Sequence, residues 1–123
     1  MRIVVFSGTT EGRDFSRAAA ALGIAVTVSV ATDLGAEEQG QAPGITVHSG
    51  RLLPCAMAEL LQGAALCVDA THPYARVVTE NLRGAVDTLK SLEKDAHFPI
   101  YLRLERKIDG ITEADGIVTN VQY

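Results

Sequence analysis

The sequence predicts an α/β fold built on a doubly wound parallel sheet of five strands, in the order 3-2-1-4-5. Two observations support this. Five short apolar runs, rich in β-branched residues, are spread over residues 2–104 and have the composition of strands buried on both faces. The segments between them carry apolar residues at helical spacing, so strands alternate with helices that can cover both faces of a parallel sheet.

The individual elements follow from these patterns. The strands are expected at about residues 2–7, 24–31, 45–48, 65–69 and 99–104. The apolar face of the first helix consists of Phe15, Ala18, Ala19 and Leu22. Pro54 and Pro73 each have φ preset for the first turn of a later helix. Residues 33–44 are rich in glycine, proline and acids, which predicts a loop over the sheet edge.

The composition is that of a globular protein. The chain has 123 residues, of which 47% are hydrophobic and 21% charged, as expected for one ordinary domain. A net charge of -4 argues against a nucleic-acid partner, and no apolar run is long enough to span a membrane. Cys55 and Cys67 form no CxxC pair and have no metal-ligand spacing with a histidine, so we expect buried free thiols, no metal site and a cytoplasmic protein.

The turn after the first strand is a candidate binding loop. Residues 7–12 (SGTTEG) contain only two glycines and do not match GxGxxG. Gly8 lets the backbone approach a ligand, and hydroxyls together with helix N–H groups can bind phosphate. The alternative is a helix capped by a hydroxyl after a tight turn. Glu11 favours the alternative, because a carboxylate in the first helical turn repels phosphate.

The turn after the fourth strand, residues 69–75 (DATHPYA), is the second candidate. A histidine changes its charge near neutral pH, which makes Asp69 and His72 candidates for general acid/base chemistry beside a cleft. The alternative is that Asp69 or Thr71 caps the next helix while His72 holds the turn by hydrogen bonding, and the residues alone favour it.

Arginines form a third group of candidates. Arg51 and Arg103 lie at the predicted carboxyl ends of strands, where a guanidinium suits carboxylates or phosphates. The alternative for each of them, and for Arg106, is a solvated charge.

Five segments together carry a resemblance to a known family: residues 8–12, 28–32, 49–52, 69–75 and 101–106. The sequence resembles the precorrin-6A reductase family of cobalamin biosynthesis, which includes the cobalt-precorrin-6A enzymes. The most specific part is the run DATHP, and the similarity covers about residues 1–106, although Lys107 stands where the family commonly has proline. The resemblance implies a Rossmann-like domain over residues 1–105, with residues 106–123 a linker or the start of a second domain.

The resemblance also implies a reaction: hydride transfer from NADPH or NADH to one double bond of an anionic tetrapyrrole, precorrin-6A or cobalt-precorrin-6A. The residues it assigns to the cofactor are Ser7, Gly8, Thr9, Thr10, Thr32, Gly50, Arg51 and Thr71. His72 and Tyr74 face the nicotinamide and the macrocycle as catalytic candidates, and Arg103 and Arg106 meet substrate carboxylates. No residue is an evident essential acid, so water or the substrate could supply the proton.

Two other functions remain open, as does the choice of cofactor. The chain could be a non-catalytic nucleotide- or tetrapyrrole-binding module, or an NAD(P)-linked reductase of a small substrate. Asp33 lies about 20 residues beyond Gly12, where an acid binds the ribose 2′-hydroxyl of NADH. Arg51 could instead reach the additional phosphate of NADPH, the default cofactor implied by the family. The sequence does not indicate the oligomeric state.

Overall fold

The computed structural model describes residues 1–92 and 98–105, and the backbone of residues 118–121. One sheet contains β1 (Arg2–Phe6), β2 (Ala25–Val30), β3 (Ile45–Ser49), β4 (Leu66–Asp69), β5 (Ile100–Glu105) and β6 (Val118–Val121). The strand order is β3-β2-β1-β4-β5-β6. The first five strands are parallel, which confirms the predicted fold class, order and strand positions.

The sixth strand lies at the edge of this sheet beside β5 and runs in the opposite direction to the other strands. β6 pairs antiparallel with β5, with Leu102 opposite Val121 and Glu105 opposite Val118. Antiparallel edge strands on otherwise parallel sheets are common. β6 lies within the segment expected to be a linker or the start of a second domain, and the domain boundary near residue 105 stays a prediction.

Among the described residues, four helices connect the first five strands: α1 (Thr10–Ala21), α2 (Asp33–Gln39), α3 (Pro54–Leu61) and α4 (Arg76–Leu92). The prediction of a loop over residues 33–44 was wrong for its first half, where α2 lies. Thr32 caps this helix, since its Oγ1 accepts a hydrogen bond from the N–H of Gly35 at 3.0 Å. Gly40, Pro43 and Gly44, which suggested a loop, follow the helix, and Gly35 is accommodated within its first turn.

One of the two proline predictions also needs correction. Pro54 opens α3 as expected, but α4 begins at Arg76 and not at Pro73. The N–H of Ala75 donates to the carbonyl of His72 at 2.9 Å, so the chain makes a turn before the helix begins. This turn leaves residues 72–74 exposed at the carboxyl edge of the sheet.

Alternation along β1 gives the sheet two apolar faces. Val4 and Phe6 pack in a cluster with residues of α3 and α4, whereas Ile3 and Val5 pack in a second cluster with α1. Residues that follow one another in a strand point to opposite faces, so one short apolar run supplies both clusters. The doubly wound arrangement follows directly from this pattern.

The details of the helix faces differ from the prediction. Leu22 was expected to be inward but is 81% exposed at the end of α1, and Ala18 is also exposed. The buried residues of α1 are the small Gly12, Ser16 and Ala19, which allow the helix to approach the sheet closely. Cys67 is buried as expected, but Cys55 is exposed on α3.

Among the described residues, no helix combines the length and apolar character needed to cross a membrane.

Candidate functional site

The carboxyl end of β4 places a buried acid at the centre of a hydrogen-bond network. Asp69, the last residue of β4, is fully buried. Its Oδ1 accepts hydrogen bonds from the backbone N–H of Thr71 at 3.2 Å and from the Thr71 hydroxyl at 2.7 Å. Its Oδ2 accepts from the hydroxyls of Thr79 on α4 and Tyr101 on β5, each at 2.7 Å. The carboxylate therefore ties the turn after β4 to the next helix and the next strand.

The guanidinium of Arg103 completes this network. Its Nη1 donates to Asp69 Oδ1 at 2.9 Å and to Thr71 Oγ1 at 3.1 Å, and its Nη2 donates to the Thr71 carbonyl at 2.9 Å. Its Nε donates to Glu105 at 2.9 Å. The side chain of Arg103 is only 8% exposed. The structure thus gives Arg103 a structural role, because the buried acid requires a compensating charge, and its contact with substrate stays a prediction.

The network has a clear effect on ionisation. Burial of Asp69 disfavours its charged form, but hydrogen bonds from Thr71, Thr79 and Tyr101 and the charge of Arg103 outweigh burial and lower the pKa of this carboxyl. Burial and the hydrogen bond to Asp69 raise the pKa of Tyr101. Asp69 is therefore charged at neutral pH and makes its hydrogen bonds within the protein, and its role in general acid/base chemistry stays a prediction.

The turn after β1 is held against the end of β4. Thr9 is the N-cap of α1: its Oγ1 accepts from the N–H of Gly12 at 3.1 Å and donates to the carbonyl of Ala70 at 2.6 Å. This hydroxyl therefore both donates and accepts a hydrogen bond within the protein, as in the alternative of a hydroxyl-capped helix. An added Cβ at Gly12 would collide with the Ser7 hydroxyl and lie 3.0 Å from Ala70 Cβ. The glycine is required for the close approach of the two turns.

A cleft of about 440 Å³ opens where these two turns meet, at the carboxyl ends of β1 and β4. This volume is in the usual range of small-molecule sites, roughly 300–1,000 Å³. Six of the predicted site residues line it: Ser7, Gly8, Thr9, Thr10, Thr71 and His72. Its charged lining residues are Glu11, Arg13, Glu38 and Glu105. The structure thus brings together the two turns that the sequence singled out, in a cleft with more acids than bases.

His72 has a defined orientation at the mouth of this cleft. The N–H of Tyr74 donates to His72 Nδ1 at 3.2 Å, so Nδ1 is an acceptor and the proton of the neutral ring lies on Nε2. The two rings lie 5.1 Å apart at an interplanar angle of 39°. Tyr74 itself is 85% exposed. The pair therefore presents an N–H donor and an aromatic surface to a ligand.

Several predicted residues lie outside the lining of the cleft. Thr32 is occupied in capping α2, and Asp33 Oδ1 accepts a hydrogen bond from Ser49 Oγ at 3.1 Å. Gly50 has a φ of +111° and its N–H donates to the Val30 carbonyl at 2.9 Å, and Arg51 beside it is exposed. Arg106 lies outside the described residues. Cofactor and substrate roles for these residues stay predictions.

The structure also adds two residues that the sequence did not indicate. Arg13 on α1 and Gln39 on α2 both line the cleft. The Nε atom of Arg13 and the Nε2 atom of Gln39 are buried without a hydrogen-bond partner among the described residues. Only the recognition of α2 as a helix could have shown that Gln39 lines the same cleft as Arg13, because a loop gives residue 39 no fixed direction.

Comparison with known proteins identifies the family. A model of the family described as precorrin-6x reductase CbiJ/CobK matches residues 2–120. Cobalt-precorrin-6A reductase from Salmonella typhimurium is 36% identical over 88 residues, which are 70% of this chain and 33% of that protein. The aligned part thus spans about a third of the length of this curated relative. No solved structure matches the sequence. The chain belongs to the precorrin-6x reductase family.

Proposed function

We propose that this chain forms the nicotinamide-binding part of a precorrin-6A reductase, which reduces one macrocycle double bond of precorrin-6A or cobalt-precorrin-6A in cobalamin (vitamin B12) biosynthesis. The observation that carries the proposal is the cleft between the turns after β1 and β4 in a chain of this family. These strands flank the point where the strand order reverses, and open parallel sheets bind ligands at that point.

The cleft offers several features that suit NADPH or NADH. Gly8 has a φ of +141°, and apart from its neighbours in the chain no described residue has an atom within 4 Å of the position of an added Cβ, so a ligand phosphate could approach its backbone. The N-terminus of α1 provides the positive end of a helix dipole beside it. Ser7, Thr10 and Thr71 would supply hydrogen bonds around the phosphates and the nicotinamide. When bound, the nicotinamide supplies a hydride to one carbon of the substrate double bond.

His72 has a binding role in this proposal. A neutral imidazole that carries its proton on Nε2 can donate a hydrogen bond, but release of that proton would leave an unstable imidazolate. We therefore assign His72 to an oxygen atom of the substrate or cofactor, and we assign the proton added to the neighbouring carbon to water. The exposed ring of Tyr74 offers an apolar surface to a flat macrocycle.

The test is a turnover assay on the product of the complete reading frame that encodes this chain, with the cobalt-containing and metal-free macrocycles and each nicotinamide. The expected result is a substrate mass gain of two hydrogens, with matching loss of NADPH or NADH absorbance. Calorimetric titration of each nicotinamide against the chain itself measures binding separately.

The outcomes separate this proposal from the alternatives. Binding of a nicotinamide without reduction of either macrocycle, while cofactor oxidation follows addition of a small carbonyl compound, would support a reductase of a small substrate. Binding of a nucleotide or tetrapyrrole with no oxidation at all would support a non-catalytic module.

A further inference from the structure

The wall of the cleft between α1 and α2 contains hydrogen-bond donors without an acceptor. Gln39 is only 3% exposed and lines the cleft, and its side-chain Nε2 makes no hydrogen bond among the described residues. Arg13 lines the same wall, and its buried Nε lies 3.5 Å from the carboxylate of Asp14 without a hydrogen bond. Two donors without an acceptor therefore line the same cleft, which also includes the N-terminus of α1.

The arrangement is held in place by the backbone around Gln39. The carbonyl of Gln39 accepts a hydrogen bond from Arg17 Nη2 at 3.0 Å. The helix ends at the next residue, Gly40, whose N–H donates to the carbonyl of Ala36 at 3.1 Å. A buried donor left without a partner destabilises the folded protein, and such groups are rare in folded proteins. A fixed, buried and unpaired amide at a cleft wall indicates a ligand acceptor.

The position of this wall suggests which part of a ligand it meets. Val30, the last residue of β2, also lines the cleft, and the end of the second strand is where dinucleotide-binding sheets hold the adenosine ribose. The acid expected to bind a ribose 2′-hydroxyl, Asp33, accepts a hydrogen bond from Ser49 and lies outside the lining. The groups available to a ligand on this wall are thus hydrogen-bond donors, namely the amide NH₂ of Gln39 and the cationic guanidinium of Arg13.

We propose that Arg13 and Gln39 bind the 2′-phosphate of NADPH, so that the protein prefers NADPH to NADH. This inference rests on the proposed nicotinamide-binding function and identifies the cofactor within it. A guanidinium and an amide NH₂ match the acceptor oxygens of a phosphate. Glu38 lies on the same wall and opposes phosphate binding, as do the cleft carboxylates of Glu11 and Glu105. Arg13 is the cation that offsets them.

The test is calorimetric titration of NADPH, NADH, adenosine 2′,5′-bisphosphate and 5′-AMP against the chain and its Arg13→Met, Gln39→Met, Glu38→Gln and Arg51→Met variants. A hydrogen bond to a charged group is worth about 1.5–3 kcal/mol, so Arg13→Met should weaken NADPH and the bisphosphate at least tenfold. Affinity for NADH and 5′-AMP should change less than about threefold. Gln39→Met should act in the same direction, and Glu38→Gln should strengthen NADPH binding.

Further measurements keep the proposal falsifiable. Gln39→Met removes an unpaired donor, so the ligand-free variant should keep or raise its thermal midpoint, which separates lost binding from lost folding. Equal weakening of NADPH and NADH by Arg13→Met would overturn the inference, as would a loss of NADPH preference in Arg51→Met alone. Wild-type binding of NADH without NADPH would overturn the inference and leave the proposed function standing. Binding of neither nicotinamide would overturn both.

Discussion

The guanidinium of Arg103 forms a 2.9 Å ion pair with the fully buried carboxylate of Asp69, across the neighbouring strands β4 and β5. These two residues are partners in the parallel register, so the sheet itself fixes the distance between the charges. Both charges are removed from water, and each depends on the other to remain ionised. The pair also holds Thr71 through its backbone and its hydroxyl.

The first prediction concerns this pair. Arg103→Met should lower the free energy of unfolding by about 3–5 kcal/mol, because it leaves a buried carboxylate without its cation. The measurement is urea denaturation at neutral pH. The matched control is Arg51→Met, an exposed arginine whose replacement should cost less than about 0.5 kcal/mol. Equal effects of the two substitutions would show that the ion pair contributes little.

The second prediction is the pH dependence of stability. The pKa of Asp69 is lower in the folded protein than in the unfolded chain, where an aspartate titrates near 3.9. The unfolded state then binds more protons at acidic pH, so stability should be fully present above about pH 4–5 and fall as the pH drops through the folded pKa. Urea midpoints measured from neutral to acidic pH test this. Asp69→Asn should reduce the slope, and an unchanged slope would assign the acid sensitivity to other carboxyls.

The sequence predicted the strands of the sheet more successfully than the helix α2. The five parallel strands were predictable because each is a short apolar run bounded by turn residues and too short for a buried helix. The helix α2 was not, because its seven residues include Gly35 and carry few apolar side chains. Tertiary packing of Ala36 and the cap from Thr32 outweigh this weak local preference.

The same contrast applies to the site. Residues 7–10 and 71–72 were predictable because strand order alone brings the ends of β1 and β4 together. The pairing of Asp69 with Arg103 could not be inferred, since it depends on the register of β5 against β4, and the sequence suggested a ligand contact for Arg103. The position of Gln39 in the same cleft as Arg13 depends on a helix that the sequence did not predict.

The third prediction compares two glycines. Gly8→Val should weaken nicotinamide binding at least tenfold, because the added side chain would project into the cleft at a φ of +141°. Gly63→Val is the matched control: Gly63 also has a positive φ, +79°, and open space around an added Cβ, but it lies away from the cleft. Both variants should lose some stability from backbone strain, and calorimetry should show lost binding in the first alone. Loss of affinity in both would point to a general effect of strain.

The fourth prediction concerns the tautomer of His72. The hydrogen bond from the Tyr74 N–H to Nδ1 places the proton of the neutral ring on Nε2. Long-range proton–nitrogen NMR correlation at alkaline pH should therefore show a protonated Nε2 and an unprotonated Nδ1 for this residue. Comparison with the spectrum of the His72→Gln variant identifies the signals of His72. A protonated Nδ1 would exclude the hydrogen bond and restore His72 as a candidate base.

Gly12 has a consequence for attempts to engineer a more heat-resistant protein. Replacing a helical glycine with alanine is a standard improvement, since it gains helix propensity of up to about 1 kcal/mol. Gly84 on α4 suits this strategy, because in the described part of the chain no atom outside its own helical turn lies within 4 Å of the added carbon. At Gly12 the same change would push α1 away from Ser7 and Ala70 and spread the two turns apart. A helix-propensity scale treats the two glycines alike, whereas Gly84 is open to substitution and Gly12 holds the two turns that line the cleft close together.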